Sequence, residues 1–229
     1  MNRPYLVLGF AILAALGFLG ATQLIVEAPR EATMGVVQKI FYFHVPCAWL
    51  CFLSAFLCAA ASVRVLTAGA AGSARAVAWL DATAELTVLF GACVLVTGPL
   101  WARKAWGAYW QWDVRLTTSL LLWLIFAGVL FVRRYGGAGG TRLAAGLAIF
   151  GAADVPLIYA SVSLWRTIHP KTTVVKTLEA EMRPAFWTSL LTFTIAYVVL
   201  LAMRVALSHA ERRLDEVHRA AEDLEDLEA

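Results

Sequence analysis

Two histidines and one tryptophan-rich run carry most of the chemistry this chain could perform. His44 stands in the string FYFHVP and His169 in WRTIHP. Between them, residues 101–113 read WARKAWGAYWQWD and hold four of the nine tryptophans. Imidazole is the commonest side-chain metal ligand, and indole offers a large π face for stacking. Such a set suits a flat aromatic ligand with a metal at its centre, one imidazole on each side, and anionic edges met by Lys or Arg. Zinc fits less well, because no third or fourth His, Cys or carboxylate accompanies the two histidines at ligand spacing.

The elements that must position these residues follow from composition. The 229 residues are 61% apolar and only 15% charged, with a mean hydropathy of +0.72. Soluble domains are closer to half apolar and a quarter charged. A disordered chain, a disulfide scaffold, a nucleic-acid-binding module and an ordinary soluble enzyme are all excluded. The expected class is an all-α polytopic membrane protein. Six apolar stretches, at 4–26, 40–66, 78–100, 116–132, 143–165 and 185–206, are each long enough to cross the hydrocarbon layer as helices. The runs are continuous and lack the period-two alternation of barrel strands. One Arg followed by an apolar run too long for a signal-peptide core predicts a retained first span.

Cys47, Cys51, Cys58 and Cys93 all lie in apolar runs and read as packed free thiols. No C-x-x-C-H occurs, so the chain does not attach a c-type haem to itself. The expected organisation is a transmembrane domain, 1–206, followed by a polar helical tail, 207–229. Leu207, Leu214 and Ala221 alternate there with Ala210, Val217 and Leu224 in heptad positions, too few for a coiled coil to be asserted. His209 and His218 lie in this tail and receive no role.

Parity then does the decisive work. The second span begins, and the third and fifth spans end, on the face opposite the termini. His44, residues 101–115 and His169 therefore meet at one membrane face whichever way the chain is inserted. Ten of the 19 Lys and Arg fall on the terminal side and nine on the other, so the positive-inside rule leaves orientation nearly tied. Nine cations on a face where they are usually depleted suggest an anionic ligand, although an ordinary basic rim paired with Glu27, Glu31, Asp113, Glu179 and Glu181 is an equal reading.

If 106–113 is helical, Trp106, Tyr109, Trp110 and Asp113 share one face of a surface-lying helix. Gly98-Pro99 is expected to end the third span, and Asp113 to cap the fourth. Haem combines a planar macrocycle, an iron that accepts axial His and two propionates, and it is the preferred ligand. Arg103, Lys104, Arg115 and Arg166 are candidate propionate partners. Asp154, mid-span beside Pro156, is expected to be neutral, paired or bonded to backbone freed by that proline. Asp81 and Glu85 are expected to snorkel or to pair with Arg75 or Arg64.

The segment Trp106–Thr117, W-G-x-Y-W-x-W-D-x-R-L-T, resembles the tryptophan-rich WWD signature of the cytochrome c assembly family of haem-handling proteins. Asp113 is followed by Val-Arg-Leu-Thr, as in the CcmC branch of the cytochrome c maturation system. His44 and His169 match the two histidines that flank the signature there. The family pattern has a Trp pair before the second histidine and Gln after it; here Leu164-Trp165 and Pro170 stand instead.

The resemblance implies haem b (iron protoporphyrin IX), held non-covalently in transit between His44 and His169. The platform would be Trp106, Tyr109, Trp110, Trp112, Asp113 and Arg115. It also implies a bacterial inner-membrane protein with cytoplasmic termini, a periplasmic WWD loop, and CcmE, CcmD and the CcmA–CcmB ATPase as partners. No step needs a general base or a nucleophile, so no enzyme is expected. A b-type electron-transfer cytochrome, a transporter passing haem through its own bundle and a ligand-free scaffold are the alternatives.

Overall fold

A computed structural model describes residues 3–68, 70–165, 167–169, 175 and 177–228. It is all-helical: α1 Arg3–Glu27, α2 Phe41–Thr67, α3 Ala70–Trp106, α4 Val114–Tyr135, α5 Gly140–Leu164 and α6 Arg183–Glu228. All six are long and apolar enough to cross a membrane, as the apolar stretches predict. Short 3-10 turns precede α2, α5 and α6. Helices α2 to α5 form the central bundle, with α2 laid along α3 and α5 and with α4 paired to α5. Helix α6 crosses α2 and α3, and α1 packs outside against α6.

Lipid offers no hydrophobic drive to bring helices together, so close packing and polar stitches must do it. Helix α5 presents Gly140, Ala144, Ala148, Gly151 and Ala152 as a small buried face. A Cβ on Gly151 would meet Ile125 Cγ2 at 2.8 Å and Phe126 Cε2 at 2.9 Å, so only glycine lets α4 approach this closely. Buried hydroxyls stitch α2 to its neighbours. Ser54 Oγ donates to the Thr83 carbonyl at 2.8 Å, and Tyr197 Oη donates to Ser54 Oγ at 3.1 Å. The four cysteines are free, and Cys47, Cys51 and Cys58 are buried as expected.

Asp81 and Glu85 do pair, but not with Arg75 or Arg64. Arg133 of α4 holds Asp81 through Nε at 2.5 Å and Nη2 at 2.8 Å, while Arg204 of α6 holds Glu85 through Nε at 2.6 Å and Nη2 at 2.8 Å. Helix packing chooses among arginines that topology places at the same end. Breaking a fully buried ion pair costs about 3–5 kcal/mol. The Arg133 and Asp81 side chains are 22% and 17% exposed, and screening at that exposure reduces the cost to about 1–3 kcal/mol. Asp81→Ala should therefore lower the unfolding temperature in detergent. Asp81→Ala with Arg133→Leu should recover most of the loss, because no unpaired charge remains.

At the opposite end a second cluster, Ile25, Ala28, Tyr42, Leu178, Met182, Ala185 and Phe186, locks the end of α1 to the starts of α2 and α6. Lys39 Nζ donates to the Ile25 and Val26 carbonyls at 2.7 and 2.8 Å. A cation thus covers carbonyls that the last turn of α1 leaves without helical partners.

Candidate functional site

Helix α3 does not stop at Gly98-Pro99. It runs through Pro99 to Trp106 and continues α3 beyond the apolar stretch. Proline inside a membrane helix is tolerated where neighbours re-satisfy the freed backbone, and Pro46 and Pro156 sit inside α2 and α5 in the same way. What ends α3 is Gly107, whose φ of +76° lies in the left-handed region that favours glycine. Residues 107–113 are consequently irregular, and the expected surface helix over 106–113 does not form.

The aromatic residues therefore do not share one helical face. Trp106 packs edge-on against Trp101 at 5.6 Å between ring centroids, and Trp110 packs edge-on against Trp112 at 5.7 Å. Tyr109 lies beneath the Arg103 guanidinium at 5.7 Å. Trp112 is the most open of the set, 78% exposed. Trp101 Nε1 donates to Gln38 Oε1 at 3.2 Å, tying the last turns of α3 to the turn before α2.

Asp113 caps α4 as its position predicts. One carboxylate oxygen accepts from the Arg115 and Leu116 amides at 2.9 and 3.4 Å. The other accepts from the Ile168 amide at 3.2 Å, and the Thr167 side chain also hydrogen-bonds to the carboxylate. Burial alone would raise this carboxyl, but these four hydrogen bonds outweigh it and hold the group below its ordinary value. A single acid so joins the tryptophan loop, the start of α4 and the segment bearing His169. Gln111, Trp112, Asp113, Thr167 and Ile168 line an open cleft of about 340 Å³.

His44 sits one turn into α2, and its ring meets α3. Its Nδ1 is 2.8 Å from Thr97 Oγ1, and Gly98 lies alongside, where a Cβ would come within 3.3 Å of the ring carbon Cε1. His169 is half-buried, with its amide donating to Thr167 Oγ1 at 3.1 Å. His169 and Arg115 each lie within electrostatic reach of His44, so the structure brings to His44 residues that parity places at the same face. Arg115 also reaches back to the Ile158 carbonyl at 3.4 Å.

Of the other candidate cations, Arg103 is engaged with the Gly107 carbonyl and the Tyr109 ring, and Lys104 is exposed. Arg166 lies outside the described residues. Asp154 keeps Oδ2 buried and without a hydrogen-bond partner among the described residues, so pairing or backbone bonding is not realised at that oxygen.

Two features fit a haem cargo in particular. The indole N–H of Trp110 is buried with no acceptor among the described residues, a cost of about 1–3 kcal/mol that a carboxylate or other acceptor on a ligand would remove. Among the described residues, the His44 ring is hydrogen-bonded through one nitrogen only. Thr97, Gln38 and Thr167 were not singled out by sequence reasoning, and Gly98 only as the expected end of the third span. A Thr-Gly pair near the end of an apolar span, on the face that parity assigns to His44, was the available signal.

Six membrane-spanning helices that gather histidines, an arginine and a tryptophan loop at one end define a haem-handling integral membrane protein. The profile described as "Heme exporter protein C" matches residues 2–224, and the chain belongs to this CcmC family of cytochrome c biogenesis. It is 32% identical over 228 residues to Heme exporter protein C of Bradyrhizobium diazoefficiens, covering 99% of this chain and 83% of the relative. The Escherichia coli K12 Heme exporter protein C is 29% identical over 210 residues, 88% of this chain and 81% of that one. A putative cytochrome c biosynthesis ccmC-like mitochondrial protein of Marchantia polymorpha is 31% identical over 147 residues, 64% of this chain and 61% of the relative. Membership makes the chain a haem-handling membrane protein and not an enzyme.

Proposed function

We propose that the chain holds haem b at the periplasmic membrane face, with His44 and His169 as axial ligands, and passes it to the haem chaperone CcmE. The convergence of the two imidazoles with Arg115 beside the tryptophan loop carries this reading. Trp110 and Trp112 supply the main stacking surface, with Trp106 and Tyr109 flanking it. Arg115 and the Trp110 indole N–H would meet the propionates. Asp113 holds the loop in shape.

The cleft is shallow and open, which suits handover better than storage. A cargo edge left in water can be taken by a partner without unfolding the site. CcmD and the CcmA–CcmB ATPase are proposed as assembly partners, with both termini and the 207–229 tail on the cytoplasmic side. An electron-transfer cytochrome with two haems would need further axial ligands inside the spans. Among the described residues, His44 is the only histidine within the membrane-crossing part of a helix outside the tail extension.

The test is to load the detergent-purified protein with haem and measure its retention and its transfer to purified CcmE. Trp110→Ala with Trp112→Ala should release haem faster without impairing membrane insertion, since each stacking contact is worth about 1–3 kcal/mol by analogy with base stacking on aromatics. Wild-type protein that neither retains haem nor passes it to CcmE would overturn the proposal.

A further inference from the structure

The His44 ring has two nitrogens, and which one carries the proton decides whether it can bind a metal at the exposed position. Thr97 settles the matter through its own hydrogen. Its hydroxyl has a single proton, and it donates that proton to the Cys93 carbonyl one turn back on α3 at 2.7 Å. Toward His44 Nδ1, 2.8 Å away, the oxygen therefore has only lone pairs to offer. Nδ1 must be the donor. In a neutral imidazole that leaves Nε2 as the lone-pair nitrogen.

The remaining wall of the ring site is built to the same end. Gly98 follows Thr97 and brings the α3 backbone close to the Cε1 side of the ring, where a Cβ would sit at 3.3 Å. The ring is thus held edge-on against α3, with its orientation set by Thr97 and its clearance by Gly98. Ligating histidines usually donate their second N–H to an oxygen acceptor, which fixes the ring and raises its basicity. Thr97 occupies that position.

We infer that Thr97 is a positioning residue: by accepting from His44 Nδ1–H, it presents the Nε2 lone pair to the haem iron. The inference rests on the proposed role of His44 as an axial ligand, but its first half concerns the haem-free protein and can be tested there. The relay runs from the Cys93 carbonyl through the Thr97 hydroxyl to the imidazole.

The experiment uses the full-length protein in bilayers, with ¹⁵N-labelled histidine. Spectra are recorded without haem at a pH where the ring is neutral, and His44→Ala identifies the resonances among the four histidines. Wild-type His44 should carry its proton on Nδ1. Thr97→Val, which keeps the shape and loses the oxygen, should no longer hold the ring in that form, whereas Thr97→Ser should retain it.

With haem bound, Thr97→Val should raise the midpoint potential and shift the Soret band toward the high-spin form. Haem retention should fall about 10–100-fold, the usual cost of losing such an outer partner. Thr97→Ser should restore all three. A wild-type His44 found protonated on Nε2 overturns the inference without any variant. So does a Thr97→Val protein whose tautomer, potential and Soret band match wild type, and in that case His44 ligation still stands. If wild-type protein takes up no haem at all, the functional reading fails instead, while the haem-free spectra still decide what Thr97 does.

Discussion

Replacing either His44 or His169 by alanine should turn a low-spin, bis-imidazole Soret spectrum into a high-spin one and sharply reduce haem retention. Each substitution removes a proposed axial ligand, so the loss should exceed the roughly 10–100-fold that removing an outer partner costs. The two variants should nevertheless behave differently. His44 is embedded in α2 and tethered to Thr97 on α3, so its loss leaves a gap in packed helices. His169 lies in a loop segment beside an open cleft, where added imidazole can enter from water. Millimolar imidazole should therefore restore the low-spin band of His169→Ala more readily than that of His44→Ala. A double variant with a native spectrum would remove both residues from the ligand set. Elution volume and helical content serve as controls, because neither histidine belongs to the buried apolar cluster of the bundle.

The architecture was readable because lipid imposes few options. A run such as residues 4–26 has nowhere to go but across the membrane as a helix, and α1 spans Arg3–Glu27. Parity alone then put His44, the tryptophan loop and His169 at one end. What could not be read was set by local backbone and by packing. Pro99 looks like a helix stop, yet α3 continues past it, and the stop is Gly107, where the chain takes a positive φ.

The pairing of the tryptophans follows from that break. A helix would have aligned Trp106, Tyr109 and Trp110, whereas the irregular loop joins Trp110 to Trp112 and leaves Trp106 with Trp101. Asp81 and Glu85 likewise had several arginines within topological reach, and only the packing of α4 and α6 against α3 selects Arg133 and Arg204. Thr97 escaped notice because a threonine in an apolar span is ordinarily satisfied by its own helix. The packing of α2 against α3 is what turns its second hydrogen-bonding direction toward His44.

Asp113→Ala is expected to mimic loss of His169 without touching either proposed ligand. The carboxylate accepts from two amides at the start of α4 and from the Ile168 amide next to His169. Losing an N-cap of this kind costs about 0.5–2 kcal/mol of local stability. The greater consequence is that the segment bearing His169 is released from α4. Haem retention should fall toward the level of His169→Ala, while helical content changes little. Asp113→Asn separates the two roles. Its amide oxygen can still cap α4, but the amide nitrogen is a donor and cannot accept from Ile168; retention should therefore be intermediate.

The pH dependence has a definite sign. Asp113 is held below its ordinary value of 3.8 by these hydrogen bonds, so its contribution is fully present above that range. It is lost only as pH falls through the lowered value. Wild-type haem retention should therefore be insensitive to Asp113 protonation between pH 7 and 5, on the order of a unit or more above an ordinary Asp pKa. Asp113→Ala should bind weakly across that whole interval. A variant that loses haem only on acidification, and binds normally at neutral pH, would mean that another acid secures the His169 segment.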